Sequence, residues 1–170
     1  LMFSKFSRPT ARIMFSDKAV ITMHNGKLHF MMRLANERNN HIVDASAKLT
    51  IMRDETTMEG VVMRRFYDLP LVRKETPVLR LTWTVMHEIN EQSPLFGMTR
   101  AEFERTETEI IISITGIDET LSQPIHARHS YIADEIVYDA VFEDILHRRD
   151  NYVLEVRYDR FHALKLKDAV

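Results

Sequence analysis

The sequence predicts an all-β chain, an antiparallel sandwich of many short strands with one short helix. Three observations predict it. Apolar residues recur with a period of two. An Asn25-Gly26 pair divides two apolar-rich stretches. Only one segment carries helix signals, with no alternation of strand and helix along the chain. In a pleated strand successive side chains point to opposite faces, so alternation is the pattern of a strand with one buried side.

The elements follow in order. Residues 18–24 and 27–34 flank Asn25-Gly26, two residues that tolerate positive φ and so close a tight hairpin. Residues 41–53 alternate most clearly: Val43, Ala45, Ala47, Leu49 and Ile51 fall on one face, and Asp44, Ser46, Lys48 and Thr50 on the other. A strand is expected over 60–68. Residues 78–89 read as another, with Leu79, Leu81, Trp83, Val85 and Ile89 opposite Arg80, Thr82, Thr84 and Glu88. Ser93-Pro94 turns the chain. Thr99 and Glu102 then form a capping-box pattern that opens a short helix over 100–105. Strands are expected over 109–116, 123–131, 135–146 and 152–158.

Length and composition bound the rest. At 170 residues, 45% hydrophobic and 28% charged, the chain suits one domain with a real core. There is no cysteine, so disulfides, thiolate nucleophiles and cysteine-ligated zinc are excluded. A net charge of −2 argues against nucleic acid as a partner. No apolar run approaches the roughly 18 residues of a membrane span. No secretory signal opens the chain, and Leu1-Met2-Phe3-Ser4-Lys5-Phe6 reads as a chain in progress.

Catalytic chemistry has no coherent motif. His126 and His129 are three apart, so on a strand they face opposite sides and make a poor metal pair. His87 and Glu88 are adjacent, and one is expected inward and the other outward. No phosphate-binding glycine loop or Gly-x-Ser-x-Gly elbow occurs. The expectation is no enzyme, no catalytic residue, no metal site and no cofactor. The ten Met and nine Phe read as core filler. Taken alone, these patterns describe a β-sandwich with interaction surfaces, equally consistent with a stand-alone immunoglobulin-like protein-binding domain.

Several collinear blocks resemble the cytoplasmic domain of inward-rectifier potassium channels, and the bacterial branch more than the animal one. They are Phe6-Ser7-Arg8-Pro9-Thr10-Ala11-Arg12-Ile13-Met14-Phe15-Ser16; Asn25-Gly26-Lys27-Leu28 with Met32-Arg33-Leu34-Ala35-Asn36-Glu37-Arg38; His41-Ile42-Val43-Asp44-Ala45; the most specific, Trp83-Thr84-Val85-Met86-His87-Glu88-Ile89 through Ser93-Pro94-Leu95-Phe96-Gly97; Ala127-Arg128-His129-Ser130-Tyr131; and Tyr158-Asp159-Arg160-Phe161-His162.

The resemblance implies an immunoglobulin-like (E-set) β-sandwich with one or two short helices. Residues 1–12 would link it to an inner transmembrane helix, and residues 13–170 would form the domain. It implies a pore-extending and gating part of a homotetramer, on the cytoplasmic face of the bacterial inner membrane, attached to a transmembrane domain absent from this chain. Potassium would be the permeant ion, with magnesium or polyamines as pore blockers. Lys5, Arg8, Arg12 and Arg38 are implied to meet anionic lipid headgroups. Thr10 and Ala11 stand where animal channels are commonly basic. Asp44 matches a pore-facing acid, joined by Ser46 and Glu75, while Thr115 stands where strong rectifiers carry a second acid. Gly116, Ile117, Glu119 and Leu121 match the loop at the top of the cytoplasmic pore, with Glu119 and Arg128 expected as an ion pair that holds it.

Overall fold

A computed structural model describes residues 12–149 and 153–167. In chain order the strands are β1 (Ile13–Phe15), β2 (Ala19–His24), β3 (Lys27–Asn36), β4 (Ile42–Thr56), β5 (Val62–Leu69), β6 (Glu75–Leu79) and β7 (Thr82–Glu88). After the helix α1 (Arg100–Arg105) come β8 (Glu109–Asp118), β9 (Gln123–Tyr131), β10 (Ile136–Tyr138), β11 (Ala140–Phe142), β12 (Leu146–Arg149), β13 (Val153–Val156) and β14 (Leu164–Leu166).

Two five-stranded sheets form the sandwich. In the first, β3 pairs with β1, β2 and β7, and β10 joins β2. In the second, β4 pairs with β5, β6 and β8, and β9 closes the far edge. Their inner faces share one core, built around Phe30, Met32, Leu34, Leu49, Ile51, Trp83, Ile112, Ile114 and Tyr131. The all-β sandwich read from the periodicity is therefore the fold. Two small two-stranded sheets, β11 with β14 and β12 with β13, complete it.

The hairpin signal is realised. Asn25 and Gly26 both take positive φ, 51° and 74°, and β2 runs antiparallel to β3 with His24 opposite Lys27. The helix has the expected bounds. The Thr99 hydroxyl accepts from the Glu102 N–H at 3.3 Å, and Phe103 anchors the helix in the core.

Three readings need correction. Residues 78–89 form two strands, because the chain crosses between sheets at Arg80–Leu81: β6 lies on β4 and β7 on β3. The alternation concealed the crossing, since Leu79, Trp83 and Val85 reach the same core from opposite sheets. Leu81, at the crossing, is exposed. Residues 135–146 likewise divide, with Asp139 at φ 55° between β10 and β11. Here β10 runs parallel to β2, in an otherwise antiparallel sandwich. Finally, the inward set on β4 begins at Ile42 and resumes at Ala45, both fully buried, so Val43 is not its first member. A β-bulge between Val43 and Ser46 adds a residue and shifts the phase.

The C-terminal segment is held by a buried cation. Arg33, on β3, donates to the carbonyls of Glu143 (2.6 Å), Arg160 (3.1 Å) and Phe161 (3.1 Å from Nε). Its guanidinium lies over the Phe142 and Phe161 rings. Burial lowers its pKa to about 10, with Asp144 and Glu143 opposing that shift.

Candidate functional site

The expected path residues meet on the outer face of the second sheet. Ser46 on β4 stands opposite Glu75 on β6 and opposite Thr115 on β8. Inner-face neighbours Ala45, Ala47 and Ile114 are buried, while Glu75 and Thr115 are exposed and Ser46 is half-buried. The row is therefore a solvent-facing strip three strands wide. Asp44 sits beside it at the apex of the bulge, exposed and in the left-handed region at φ 50°, a conformation Asp tolerates better than most side chains. Asp44, Ser46 and Glu75 line one open depression of about 500 Å³, with Ala45, Thr76 and Pro77.

Gly116 explains why the bulge fits. A Cβ there would meet Ile42 Cγ2 at 2.6 Å, the Val43 carbonyl at 3.3 Å and Ala45 Cα at 3.4 Å. The bulged β4 backbone thus rests directly on β8, at a place only glycine leaves free. Gly116 lies inside strand β8, not in a loop, and the close approach it permits is to its own chain.

The charges of the depression are uncommitted. Neither the Asp44 nor the Glu75 carboxylate belongs to an ion pair among the described residues. Arg73, two residues before Glu75, donates to the Glu75 backbone carbonyl (2.9 Å) and the Thr76 hydroxyl (2.9 Å). Lys48 is drawn towards Asp68, at 3.8 Å.

At the end of β8 the chain turns tightly. Asp118 is fully buried and accepts from the N–H groups of Thr120 (2.9 Å) and Leu121 (3.1 Å) and from the Asn40 side chain (3.1 Å). Glu119 faces His41, with Nδ1 to Oε2 at 3.2 Å, and its N–H donates to the His41 carbonyl. The expected Glu119–Arg128 pair is not formed. Arg128 stands opposite Ser113, six residues before Glu119, which is about 20 Å along the strand. Ile117 and Leu121 are both exposed beside this turn.

Of the four expected lipid contacts, Lys5 and Arg8 lie outside the described residues. Arg12 is exposed and pairs with Glu37 at 2.9 Å. Arg38 is exposed, and its guanidinium is in no ion pair among the described residues. The Glu37 N–H donates to the Arg12 carbonyl, which brings Arg12 beside the Glu37-Arg38 corner.

Sequence reasoning passed over Asp118 and His41, and weighed His126 only as a metal ligand. Asp118 carried a turn signal, an acid two and three residues before the amides it caps. His87, considered as half of an acid–base pair, is 2% exposed. Its Nδ1–H donates to the Pro70 carbonyl (2.7 Å), and Nε2 accepts from the Ser93 hydroxyl (2.7 Å). Burial pushes its pKa below the ordinary 6.5. Glu88 is partly exposed and lies 3.6 Å from Lys27, so the two residues diverge as strand geometry demands.

Comparison with known proteins identifies the family of the chain. The family described as the inward rectifier potassium channel C-terminal domain matches residues 13–168. The inward rectifier potassium channel Kirbac3.1 of Paramagnetospirillum magnetotacticum is 42% identical over 145 residues, 85% of this chain and 49% of that protein. The ATP-sensitive inward rectifier potassium channel 12 of Gallus gallus is 34% identical over 174 residues, 95% of this chain and 39% of its own length. The G protein-activated inward rectifier potassium channel 2 of Mus musculus gives the same identity and coverage. The chain thus spans half or less of the relatives it matches. No helix among the described residues is long and apolar enough to cross a membrane. With the family matched over residues 13–168 and the bacterial relative 42% identical over 85% of the chain, the chain belongs to the C-terminal domain family of inward-rectifier potassium channels, on its bacterial-type branch.

Proposed function

We propose that this domain extends the ion path of a tetrameric potassium channel on the cytoplasmic side of the membrane, and takes part in its gating. The observation that carries the reading is the strip formed by Glu75, Ser46 and Thr115 with Asp44 at the bulge beside it. Its two carboxylates face solvent with no cation paired to them among the described residues. Around a four-fold axis each acid becomes a ring of four, which concentrates potassium and also draws in magnesium or polyamines as blockers. Thr115, uncharged at the centre of the strip, makes the path less acidic than one with a second acid there.

Two other regions act around that strip. The turn after β8, held by Asp118 and by Glu119 with His41, presents Ile117 and Leu121 as exposed apolar groups at one end of the same sheet. Apolar rings at an axis gate by dewetting. Arg12 and Arg38, with Lys5 and Arg8 before them, supply cations for anionic lipid headgroups, each contributing about 1 kcal/mol near a charged surface. Residues 1–12 then connect the domain to its transmembrane part.

The experiment is potassium flux through the full-length channel in liposomes, with and without anionic lipid. Flux that responds to anionic lipid, with the response altered on neutralising Arg8 and Arg12, is the expected result. A channel that passes no potassium removes the reading, and an unaltered lipid response removes the membrane role.

A further inference from the structure

The exposed strip does not end at Thr115. On β9, His126 stands directly opposite Thr115, so the row reads Glu75, Ser46, Thr115, His126 across four strands. His126 is exposed, while its neighbour Ile125 is buried on the inner face. The imidazole therefore projects from the same face as the path acids. It is in no hydrogen bond or ion pair among the described residues, unlike His41 with Glu119 or His87 with Pro70 and Ser93.

The charges around it come from each adjoining element. On β8 its opposite is Thr115, with Ser113 and Ile117 at the diagonals, so that strand offers no acid. On β9 the next residues of the same face are Pro124 and Arg128. On β4 the face carries Asp44, Ser46 and Lys48, the last turned towards Asp68, and on β6 it carries Glu75. The acids lie two and three strands away, about 10–15 Å. At that range a new positive charge acts on a cation at the acids through the field, without forming a pair.

We propose that His126 is a proton-operated charge in the ion path, which weakens the hold of the Asp44 and Glu75 rings on a divalent blocking cation as the cytoplasmic side acidifies. The inference rests on the ion-path reading above. Histidine is the side chain whose charge ordinarily changes near neutrality. One imidazolium offsets one of the two carboxylates in each copy, and four copies act together at an axis. The combined effect on block is on the order of tenfold.

The test is block of the full-length channel by cytoplasmic magnesium, measured at pH 8 and at pH 6. The wild type is expected to lose block on acidification. His126→Gln should keep its block at pH 6, and His126→Arg should show the weak block already at pH 8. Other titrating groups, including the His41–Glu119 pair and the acids themselves, are present in every variant and are subtracted by the comparison. Persistence of the full pH dependence in His126→Gln, or wild-type block in His126→Arg at pH 8, overturns the inference. Asp44→Asn serves as the separate control: if it weakens block while His126 variants change nothing, the ion-path reading stands and only the role of His126 falls. A channel in which Asp44→Asn also leaves block unchanged removes both.

Discussion

The inside of the sandwich and the outer face of its second sheet use polar residues in opposite ways. Inside, the large buried polar groups have partners, while the Thr22 hydroxyl, also buried, has none. Arg33 is met by three carbonyls, His87 by a carbonyl and a hydroxyl, and the Tyr131 hydroxyl donates to the Ser16 carbonyl at 2.7 Å. Desolvation demands this, because a buried donor or acceptor left unmet costs about 1–3 kcal/mol. Outside, the Asp44 and Glu75 carboxylates and the His126 ring have no hydrogen bond or ion pair among the described residues, although cations such as Arg73 and Lys48 lie close by in sequence or on the same face. The carboxylates of the strip, without an ion pair among the described residues and lining an open depression, are accessible to ions from solution.

The comparison can be broken from either side. Arg33→Met removes a cation and leaves the carbonyls of Glu143, Arg160 and Phe161 without their donor, so a loss of about 3 kcal/mol is expected. Urea unfolding measures it, and a loss below about 1 kcal/mol would mean that water replaces the guanidinium and the interior is less strict than argued. Gly116→Ala tests the seat of the bulge. The added methyl has no room against Ile42, itself fully buried, and overpacking of this kind costs about 1–3 kcal/mol. An unchanged thermal midpoint would show that β4 can lift off β8.

His87 gives a pH signature. Its folded pKa lies below the unfolded 6.5, so between those two values the unfolded chain binds more protons. Stability should be full above about pH 6.5 and fall as the pH drops below it. Comparing urea midpoints at pH 7.5 and pH 5.5 for the wild type and His87→Asn should show the acid-dependent loss reduced in the variant. Equal slopes would mean another group controls the titration. The smallest effect belongs to the outer strip. Asp44→Asn keeps a side chain that tolerates positive φ and breaks no pair among the described residues, so its stability should stay within about 0.5 kcal/mol. A larger loss would make Asp44 a structural residue.

Much of this was legible in the chain. The alternation from Ala45 to Ile51, the Asn25-Gly26 turn and the Thr99 cap are local signals, and each appears where its physics requires. The crossing at Arg80–Leu81 was not legible, because period two reports which side is buried and not which sheet the strand belongs to. The bulge at Asp44 was hidden for the opposite reason. Its glycine, Gly116, lies 72 residues away, and neither residue signals the contact alone. The row itself was half legible: the resemblance named Asp44, Ser46, Glu75 and Thr115, but only the register of β8 with β9 adds His126.

Block by cytoplasmic magnesium in the full-length channel shows whether the strip faces passing cations. Asp44→Asn and Glu75→Gln, singly and together, should weaken that block progressively while potassium still passes and the domain stays folded. Undiminished block in the double variant would contradict the account and place the strip away from the ions.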